Sequence, residues 1–420
     1  MNNVLGYRCV LCGAEYTPDA FAVAYVCPNH PDDTGILDVR YDYEAIGPQF
    51  ARDELHDSPW HSMWRYLPLL PIGHPEYIPP LEVGWTPLYH AARLGRVLGL
   101  NELYIKDDGR NPTASFKDRA SAVAVVKAQE LGYNVITTAS SGNAAAALAG
   151  LAASAGLSTV IFVPASAPEA KVAQLLIYGA TVVLVEGSYD QAFDLCLAAS
   201  KEFDWYCRNT AYNPFMSEGK KTVSFEICEQ LGWEAPDKIF VAVGDGCIIG
   251  GVHKGLRDLQ ALGWIDRMPE IIGVQAEGSD VLATAWERGT EQLEPIVART
   301  IADSISVGVP RDAVKALRAV TQTGGRYVRV SDDEILEAMR VLARGSGVFA
   351  EPAGAASFAG VQRARREGWI REDQRVVVIV TGNGLKDIKS AMVATGAPYR
   401  VAPDLNVLRA LLARIGSTDA

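Results

Sequence analysis

The sequence is poor in cysteine and has no long, strongly apolar run. Seven cysteines in 420 residues are too few, and odd in number, for a disulfide-stapled fold, so we expect a reducing, cytoplasmic setting. Apolar runs such as 143–156 are rich in alanine and fall short of the roughly 20 strongly apolar residues that a membrane span needs. The start, Met1–Arg8, lacks the basic and apolar regions of a secretory signal. We therefore expect neither a membrane protein nor a secreted one.

Positive charge is also in deficit. Lysine and arginine together number 39, against 50 aspartates and glutamates, and the formal net charge is −11. A phosphate backbone is bound by clustered basic residues, so we expect no nucleic-acid partner. Hydrophobic residues make up 49% of the chain, which is enough to build a sizeable core. The length predicts two or three domains.

From Glu102 onward, short β-prone runs alternate with segments of helical spacing. The run at 159–163 predicts a strand, and the segment 169–179 predicts a helix. Near-continuous apolar strands separated by helices predict parallel sheets that are buried on both faces. The alternation runs through 134–208 and begins again at 238–380. The sequence therefore predicts two doubly wound α/β units behind a distinct N-terminal segment.

Four polar or glycine-rich loops lie at strand ends or helix starts in this pattern. They are 109–119, 140–143, 244–251 and 381–384. In open α/β sheets, ligands bind at the carboxyl ends of the strands. We therefore expect the catalytic residues to lie in these loops.

The first loop places Lys117 at the start of a helix that includes residues 121–130. Thr113 or Ser115 can cap this helix. The positive end of the helix dipole and partial burial both disfavour an ammonium, so we expect a lowered pKa for the Lys117 amine. A neutral amine is what a lysine needs in order to condense with an aldehyde. A solvated surface lysine is the alternative.

The other three loops offer groups that bind anions. Hydroxyls, a glycine and an amide at 138–143 open an alanine-rich helix, although an ordinary capped helix start is the alternative. The turn at 244–251 can wrap backbone N–H groups around a phosphate. With Glu277 at the end of the next strand, the same turn can instead form a nicotinamide dinucleotide site. Asp245 would have to point away from any phosphate bound there. Thr381 places a hydroxyl at a strand end.

The N-terminal segment carries the pattern C-x2-C-x14-C-x2-H, formed by Cys9, Cys12, Cys27 and His30. Paired ligands at this spacing are typical of tetrahedral structural zinc. Since protein would fill all four positions, a catalytic zinc is not expected. Three reduced cysteines beside a surface histidine are the alternative, and the net charge disfavours a zinc ribbon that binds nucleic acid.

Taken together, these loops resemble a known family. The segments N-P-T-A-S-F-K-D-R at 111–119, S-S-G-N at 140–143 and T-G-N-G-L-K-D at 381–387 occur in this order, with the glycine-rich turn between the last two. They resemble the threonine synthases, a branch of the fold type II pyridoxal-phosphate enzymes. The likeness runs from about Pro79 to Asp387, and the N-terminal cysteines look like a knuckle that some members carry.

The resemblance implies a division of the chain. Residues 46–132 and 213–420 would form a large α/β domain that binds the cofactor. Residues 133–212 would form a small, mobile α/β domain that closes over the substrate, and residues 1–45 a cysteine-rich knuckle. The family also suggests a homodimer that acts on a small amino-acid substrate.

The resemblance further implies roles for individual residues. Lys117 would hold pyridoxal 5′-phosphate covalently and then move protons on the substrate. Asn143 would contact the ring oxygen, and Thr381 the pyridine nitrogen. The other residues implied to contact the cofactor are Phe116, Gly244, Asp245, Gly246, Cys247 and Ile248. The residues implied to contact the substrate are Lys106, Ser140, Ser141, Gly142 and Asn213.

Threonine synthases release phosphate from O-phosphohomoserine and add water to give threonine, but this chain departs from their pattern. Their motif N-P-x-R-x-E-G grips the substrate phosphate through its arginine, and Met216 stands at that position here. Their turn G-N-x-G-N reads G-D-G-C-I at 244–248, and this turn and 300–303 look more like the dehydratases. Lys220 and Arg119 are further candidates for a phosphate contact. A serine/threonine dehydratase and a β-replacement enzyme acting on an activated serine are therefore alternatives.

Overall fold

Three β-sheets organise the chain in a computed structural model that describes residues 3–30, 34–140, 142–167 and 169–416. The strands are β1 (Val4–Cys9), β2 (Glu15–Tyr16), β3 (Leu37–Tyr41), β4 (Leu88–His90), β5 (Glu102–Asp107), β6 (Val135–Ala139), β7 (Ser158–Pro164), β8 (Thr181–Val185), β9 (Tyr206–Cys207), β10 (Lys238–Ala242), β11 (Glu270–Ala276), β12 (Arg326–Val330) and β13 (Arg375–Val380). The helices are α1 (Tyr43–Ile46), α2 (Ala92–Leu98), α3 (Lys117–Glu130), α4 (Asn143–Ser154), α5 (Glu169–Ile177), α6 (Tyr189–Glu202), α7 (Phe215–Lys220), α8 (Thr222–Gln230), α9 (Cys247–Ala261), α10 (Val281–Glu287), α11 (Ala313–Gln322), α12 (Asp332–Ser346), α13 (Pro352–Arg366), α14 (Ile388–Thr395) and α15 (Leu405–Gly416). None of the helices in these ranges has the length and apolar character to cross a membrane.

Two of the sheets are the parallel sheets that the sequence predicts. The larger has the strand order β12-β11-β10-β13-β5-β4, and all its pairings are parallel except that of the edge strand β4. The smaller has the order β8-β7-β6-β9 and is wholly parallel. Apolar side chains fill both faces of the larger sheet, as expected for parallel strands covered by helices. The predicted α/β class with two doubly wound units is confirmed.

A third, antiparallel sheet was not predicted. It has the order β2-β1-β3 and contains the first cysteine of the N-terminal pattern. Its strands are two to six residues long, and such short runs offer too few alternations for a period of two to be recognised. The sheet packs its apolar face on the core of the larger α/β unit through Tyr7, Leu37, Val39 and Tyr41.

Helix α3, which begins with Lys117, is held in position by contacts on several of its sides. Ten of its 14 residues are buried. At Gly219 in α7, an added Cβ would lie 2.1 Å from the backbone oxygen of Arg119. The two helices therefore approach backbone to backbone, which only glycine allows at this point. This contact fixes the helix that begins with Lys117.

A buried network of charges ties α3 to the rest of the large unit. The guanidinium of Arg119 is fully buried and donates to Asp108 at 2.6 and 2.9 Å. It also donates to both carboxylate oxygens of Glu226. The amine of Lys106 pairs with Glu226 at 2.6 Å. Bidentate, charge-assisted hydrogen bonds of this kind hold these groups in one arrangement.

Replacing Arg119 should be costly because it leaves two buried carboxylates without their main partner. Breaking a buried pair by removing one member costs roughly 3–5 kcal/mol, and we expect a loss of this size in Arg119→Met. The control Arg267→Met removes a half-exposed guanidinium that pairs with Asp237 at 2.9 Å, and it should cost under about 1 kcal/mol. Urea unfolding of both variants measures the difference. Equal losses would contradict the assigned role of the network.

Candidate active site

The four predicted loops meet at one cavity between the two parallel sheets. Its volume is about 290 Å³. Each loop contributes lining residues, which include Lys117, Ser140, Gly142, Asn143, Gly244, Asp245, Gly246, Cys247, Ile248 and Thr381. The carboxyl ends of parallel strands converge on this cavity, as open α/β sheets require. Ser141, another predicted contact, lies outside the described residues.

Lys117 is presented by a strained turn. Ala114 adopts φ +64°, a conformation that side chains other than glycine rarely take. Asp118 holds the turn, since its carboxylate accepts from the backbone N–H of Thr113 at 2.7 Å and from its hydroxyl. The predicted capping by Thr113 or Ser115 is therefore wrong, and Phe116 precedes the helix without a side-chain cap. The turn releases the Lys117 amine into the cavity.

The pKa of the Lys117 amine is lowered, as predicted, and the largest cause is burial. The charge of Arg208 lowers the pKa further, whereas Cys247, Asp245 and Glu351 act in the opposite direction. Among the described residues, no hydrogen-bond acceptor engages the amine. A lowered pKa favours the neutral form of the amine, which is the form that reacts with a carbonyl group.

The glycine-rich turn leads directly into α9 and forms a cradle for an anion. Gly246 has φ +92°, and an added Cβ would lie 2.7 Å from Asp312 O. Side chains are thus excluded here, and the N–H groups of the first turn of α9 are left to bind an anion. The carboxylate of Asp245 accepts from the backbone N–H of Arg311 at 3.3 Å, so that it has a partner away from the turn. The expected obstacle to phosphate binding is thereby reduced.

Asn143 has a partner that the sequence pattern did not reveal. Its amide nitrogen donates to Glu351 at 2.7 Å, and both residues line the cavity. Glu351 precedes α13 and is 5% exposed. Burial raises the pKa of its carboxyl to about 7, against the hydrogen bond from Asn143. The cavity therefore contains a carboxyl group that can take up or release a proton near neutral pH.

Two further buried cations lie at or near the cavity. The sequence pattern did not identify Arg208, and it gave Lys220 only as one of several candidates. Arg208 follows β9 and lines the cavity. Lys220, at the end of α7, donates to the hydroxyl of Thr210 at 3.2 Å, and Thr210 lines the cavity too. The available signal for Arg208 was its place at the carboxyl end of a predicted strand.

Three predicted contacts lie elsewhere. Lys106 is fully buried and donates to Thr86 O at 2.6 Å besides its pairing with Glu226. The side chain of Asn213 is occupied by the backbone of Cys207 and Phe215. Phe116 is fully buried in the core. None of these three is among the lining residues, and Lys106 and Asn213 are dropped as substrate contacts because their polar groups are already satisfied.

The predicted metal ligands do come together. One ligand atom from each of Cys9, Cys12, Cys27 and His30 lies within 4.8 Å of the others. The Nε2 atom of His30 is buried and has no hydrogen-bond partner among the described residues. Gly35 lies against the group, and an added Cβ there would be 2.7 Å from the His30 ring. The arrangement fits the donor set of a tetrahedral zinc site.

The nicotinamide alternative loses its main support. Glu277, its proposed ribose contact, is not among the lining residues and pairs with Arg363 at 3.4 Å. Comparisons with known proteins support a pyridoxal-phosphate site instead. Residues 80–382 match the family of pyridoxal-phosphate dependent enzymes, and the chain belongs to that family.

Within the family, the chain is most usefully compared with threonine synthases. That of Methanocaldococcus jannaschii is 40% identical over 96% of this chain and 98% of its own length. That of Methanosarcina acetivorans is 39% identical over 96% and 97%. The solved structure of threonine deaminase isoform 2 from Solanum lycopersicum has a TM-score of 0.63 and 23% identity, and covers 74% of this chain and 87% of that one. The resemblance to threonine synthases is confirmed, and the protein is a pyridoxal-phosphate-dependent lyase.

The residues present fit this cofactor. The Lys117 amine faces the cavity without a partner among the described residues, Gly246 allows the turn to pack closely against Asp312 where any Cβ would collide, and Thr381 lines the wall with a hydroxyl for which no partner is found in the described part of the chain. Lys117 would hold the aldehyde end, the turn before α9 the phosphate, and Thr381 the ring nitrogen.

The raised pKa of Glu351 predicts a pH dependence of stability in the cofactor-free protein. The folded state keeps this proton up to about pH 7, whereas an ordinary glutamate loses it near 4.5. The stabilisation is therefore full below about 4.5 and is lost as the pH rises to about 7, by up to roughly 3 kcal/mol at ~1.4 kcal/mol per pKa unit. Glu351→Gln should flatten this decline in urea unfolding. An unchanged slope would show that Glu351 titrates normally.

Proposed function

We propose that this enzyme releases phosphate from O-phosphohomoserine and adds water to yield threonine. The likeness to two proteins named threonine synthase over 96% of the chain supports this most strongly. The cavity adds chemical support, because it combines a lysine of lowered pKa, a turn suited to one phosphate and further cations. A test is to supply the yellow holoenzyme with O-phosphohomoserine and to measure both phosphate and threonine.

The residues of the cavity have complementary tasks in this reaction. Pyridoxal phosphate, when bound, supplies an electron sink for negative charge that develops at the substrate Cα. Lys117, whose pKa is lowered by burial, takes the proton from Cα and returns protons further along the substrate. Thr381, which lines the cavity, would offer the ring nitrogen a neutral hydroxyl. Ser140 and the N-terminus of α4 orient the substrate carboxylate.

Lys117→Ala tests the covalent attachment. Borohydride should fix the cofactor irreversibly to the wild-type holoenzyme, and the variant should show no such fixation because the reacting amine is missing. Lys220→Ala is a matched control, since it removes a second buried amine beside the same cavity and should leave the fixation intact. Mass spectrometry of peptides locates the adduct. Fixed cofactor in Lys117→Ala would refute the assignment.

A dehydratase is the second candidate, and the position of Met216 favours it. Its side chain is 1% exposed and is not among the cavity-lining residues, so the arginine of the threonine synthase motif has no counterpart at that position. A substrate panel separates the two activities. Ammonia from serine or threonine, with no phosphate from O-phosphohomoserine, would favour the dehydratase.

We also propose that the N-terminal group binds a structural zinc ion. Support comes from the grouping of its four ligand atoms and from the unpaired, buried His30 nitrogen. Thiolates and imidazole are the donors that zinc prefers at such sites. The metal would join two turns, each of which closes on itself through a backbone hydrogen bond, Gly13 N–H to Cys9 O and His30 N–H to Cys27 O.

Metal analysis tests this site. The purified protein should contain about one zinc per chain, and Cys12→Ser should lose most of it because a tetrahedral site needs four ligands. Cys228→Ser is the control, since Cys228 is buried and belongs to no metal-ligand group found in the described residues. Removal of zinc by a chelator should lower the thermal midpoint of the wild type only. A wild type without zinc would contradict the proposal.

We further propose that residues 133–212 close over the substrate in a cytoplasmic homodimer. Two ion pairs now join this segment to the larger unit across the cavity. They are Lys171 with Asp303, and Arg311 with Asp190 at 2.5 Å. None of the seven cysteines, all of which lie in the described ranges, forms a disulfide, in keeping with a reducing compartment. Exposed apolar side chains on α14 and α15, among them Val393 and Leu412, are candidates for the contact between subunits.

A further inference from the structure

We propose that Arg208, with Lys220 beside it, binds the phosphate group of the substrate. This subsite would replace the motif arginine that is missing at position 216. The inference rests on the proposed function, since only a substrate that carries a phosphate needs such a subsite. It concerns an anion position separate from the cradle that receives the cofactor phosphate.

Met216 cannot take this role. Its side chain is apolar and packs in the main core beside residues such as Phe215 and Val223. An apolar side chain makes no charge-assisted hydrogen bond to a phosphate. If the substrate carries a phosphate, its positive contact must therefore come from a different element.

Arg208 provides an unused guanidinium at the cavity. Its backbone N–H extends the pairing of β9 by donating to Thr137 O at 2.8 Å, and its Nε donates to the Ser121 hydroxyl at 3.2 Å. The Nη2 atom is buried and has no partner in the described part of the chain. The residue is only 2% exposed. A buried guanidinium with free donors is costly unless an anion completes it.

Lys220 places a second charge in the same region. Its amine is held by Thr210 at 3.2 Å, and the residue is 1% exposed. Burial lowers the pKa of Lys220 to about 8, with a contribution from the charges of Arg208 and Lys117 and against the influence of Cys247 and of the Asp312 carboxylate. Burial likewise lowers the pKa of Arg208 to about 10, so that it stays charged at neutral pH.

These two cations lack the carboxylate partners that other buried cations of the fold possess. Arg119, Lys106 and Lys254 each pair with buried acids. Arg208 and Lys220, in contrast, form no ion pair with any carboxylate of the described residues. The charge of Arg208 lowers the pKa of Lys220, as expected for like charges that repel each other in a medium of low polarity. A phosphate dianion between them would relieve the repulsion and use the free guanidinium donors.

The subsite is distinct from the cofactor cradle in its construction. The cradle consists of backbone N–H groups at the start of α9, on the larger sheet. Arg208 belongs to the end of β9 in the smaller sheet, and Lys220 to α7. The charge of Cys247, the first residue of α9, acts on both cations, so the inferred subsite would lie next to the cradle, as a phosphorylated substrate bound beside a phosphorylated cofactor requires.

The experiment measures the binding of inorganic phosphate to holoenzyme whose cradle is already filled by cofactor. Phosphate should protect the wild type against thermal unfolding and compete with O-phosphohomoserine. In Arg208→Met, the Kd for phosphate and the KM for O-phosphohomoserine should rise roughly 10- to 100-fold, the effect of losing a hydrogen-bonded charge. Arg208→Lys should give intermediate values of this Kd and KM, because an ammonium keeps the positive charge but not the planar, bidentate geometry of a guanidinium. Lys220→Met should show a smaller rise.

Two controls separate a phosphate subsite from a general effect of lost charge or altered folding. Arg267→Met removes the same charge at a half-exposed pair and should leave phosphate binding unchanged. The Kd for pyridoxal phosphate, from spectral titration, and the Kd for threonine should change little in Arg208→Met, since neither would occupy this subsite with a phosphate. A variant that does not fold is not expected, because an apolar side chain replaces an unpaired buried cation. Circular dichroism verifies this.

The outcomes are distinguishable. Unchanged phosphate binding in Arg208→Met, or no phosphate binding by the wild type, would overturn the subsite. A loss of cofactor affinity with unaltered phosphate competition would also overturn it, since Arg208 would then hold the cofactor phosphate. If phosphate binding depends on Arg208 but the wild type forms no threonine from O-phosphohomoserine, the subsite is supported and the proposed reaction is rejected.

Discussion

A lysine amine must remain partly uncharged inside the protein and yet be reachable by a small substrate. Burial achieves the first condition, and the cavity between two sheets achieves the second. Burial alone does not determine the protonation state of the amine, because several other titratable groups lie around it. The acids Asp245 and Glu351 favour its charged form and Arg208 favours its neutral form, so that the state of Lys117 depends on the balance of the whole cavity.

Rigid support beneath the cavity makes such a balance possible. The turn before α3 is strained at Ala114, and strain persists only where the surroundings determine the conformation. Those surroundings are the bonds of Asp118 to Thr113 and the buried pairing of Arg119 with Asp108 and Glu226. Two residues next to Lys117 thus use their charges to fix its position rather than to contact a ligand.

The sequence allowed the fold class and the four loops to be predicted, since apolar strands and punctuating glycines are local signals. Contacts between segments that are far apart in the sequence could not be predicted. Asn143 and Glu351 are 208 positions apart, and no local pattern links them. Lys106 was expected at the substrate because of its charge, but its strand turns it towards Glu226 in the interior. Arg208 was overlooked because β9 has only two residues, too few to show which face its neighbours occupy.

The N-terminal segment contacts helix α11, which packs against the glycine-rich turn before α9. Lys315 in α11 pairs with Asp38 at 3.1 Å, and Arg318 donates to Val10 O at 2.7 Å. The same helix begins beside Gly246, where Asp312 N–H donates to Asp245 O at 2.8 Å. This segment is therefore no detachable module. A truncated or fused version of the protein without this segment would expose apolar surface of the catalytic unit. It would also lose contacts that hold the helix packed against the coenzyme-binding turn.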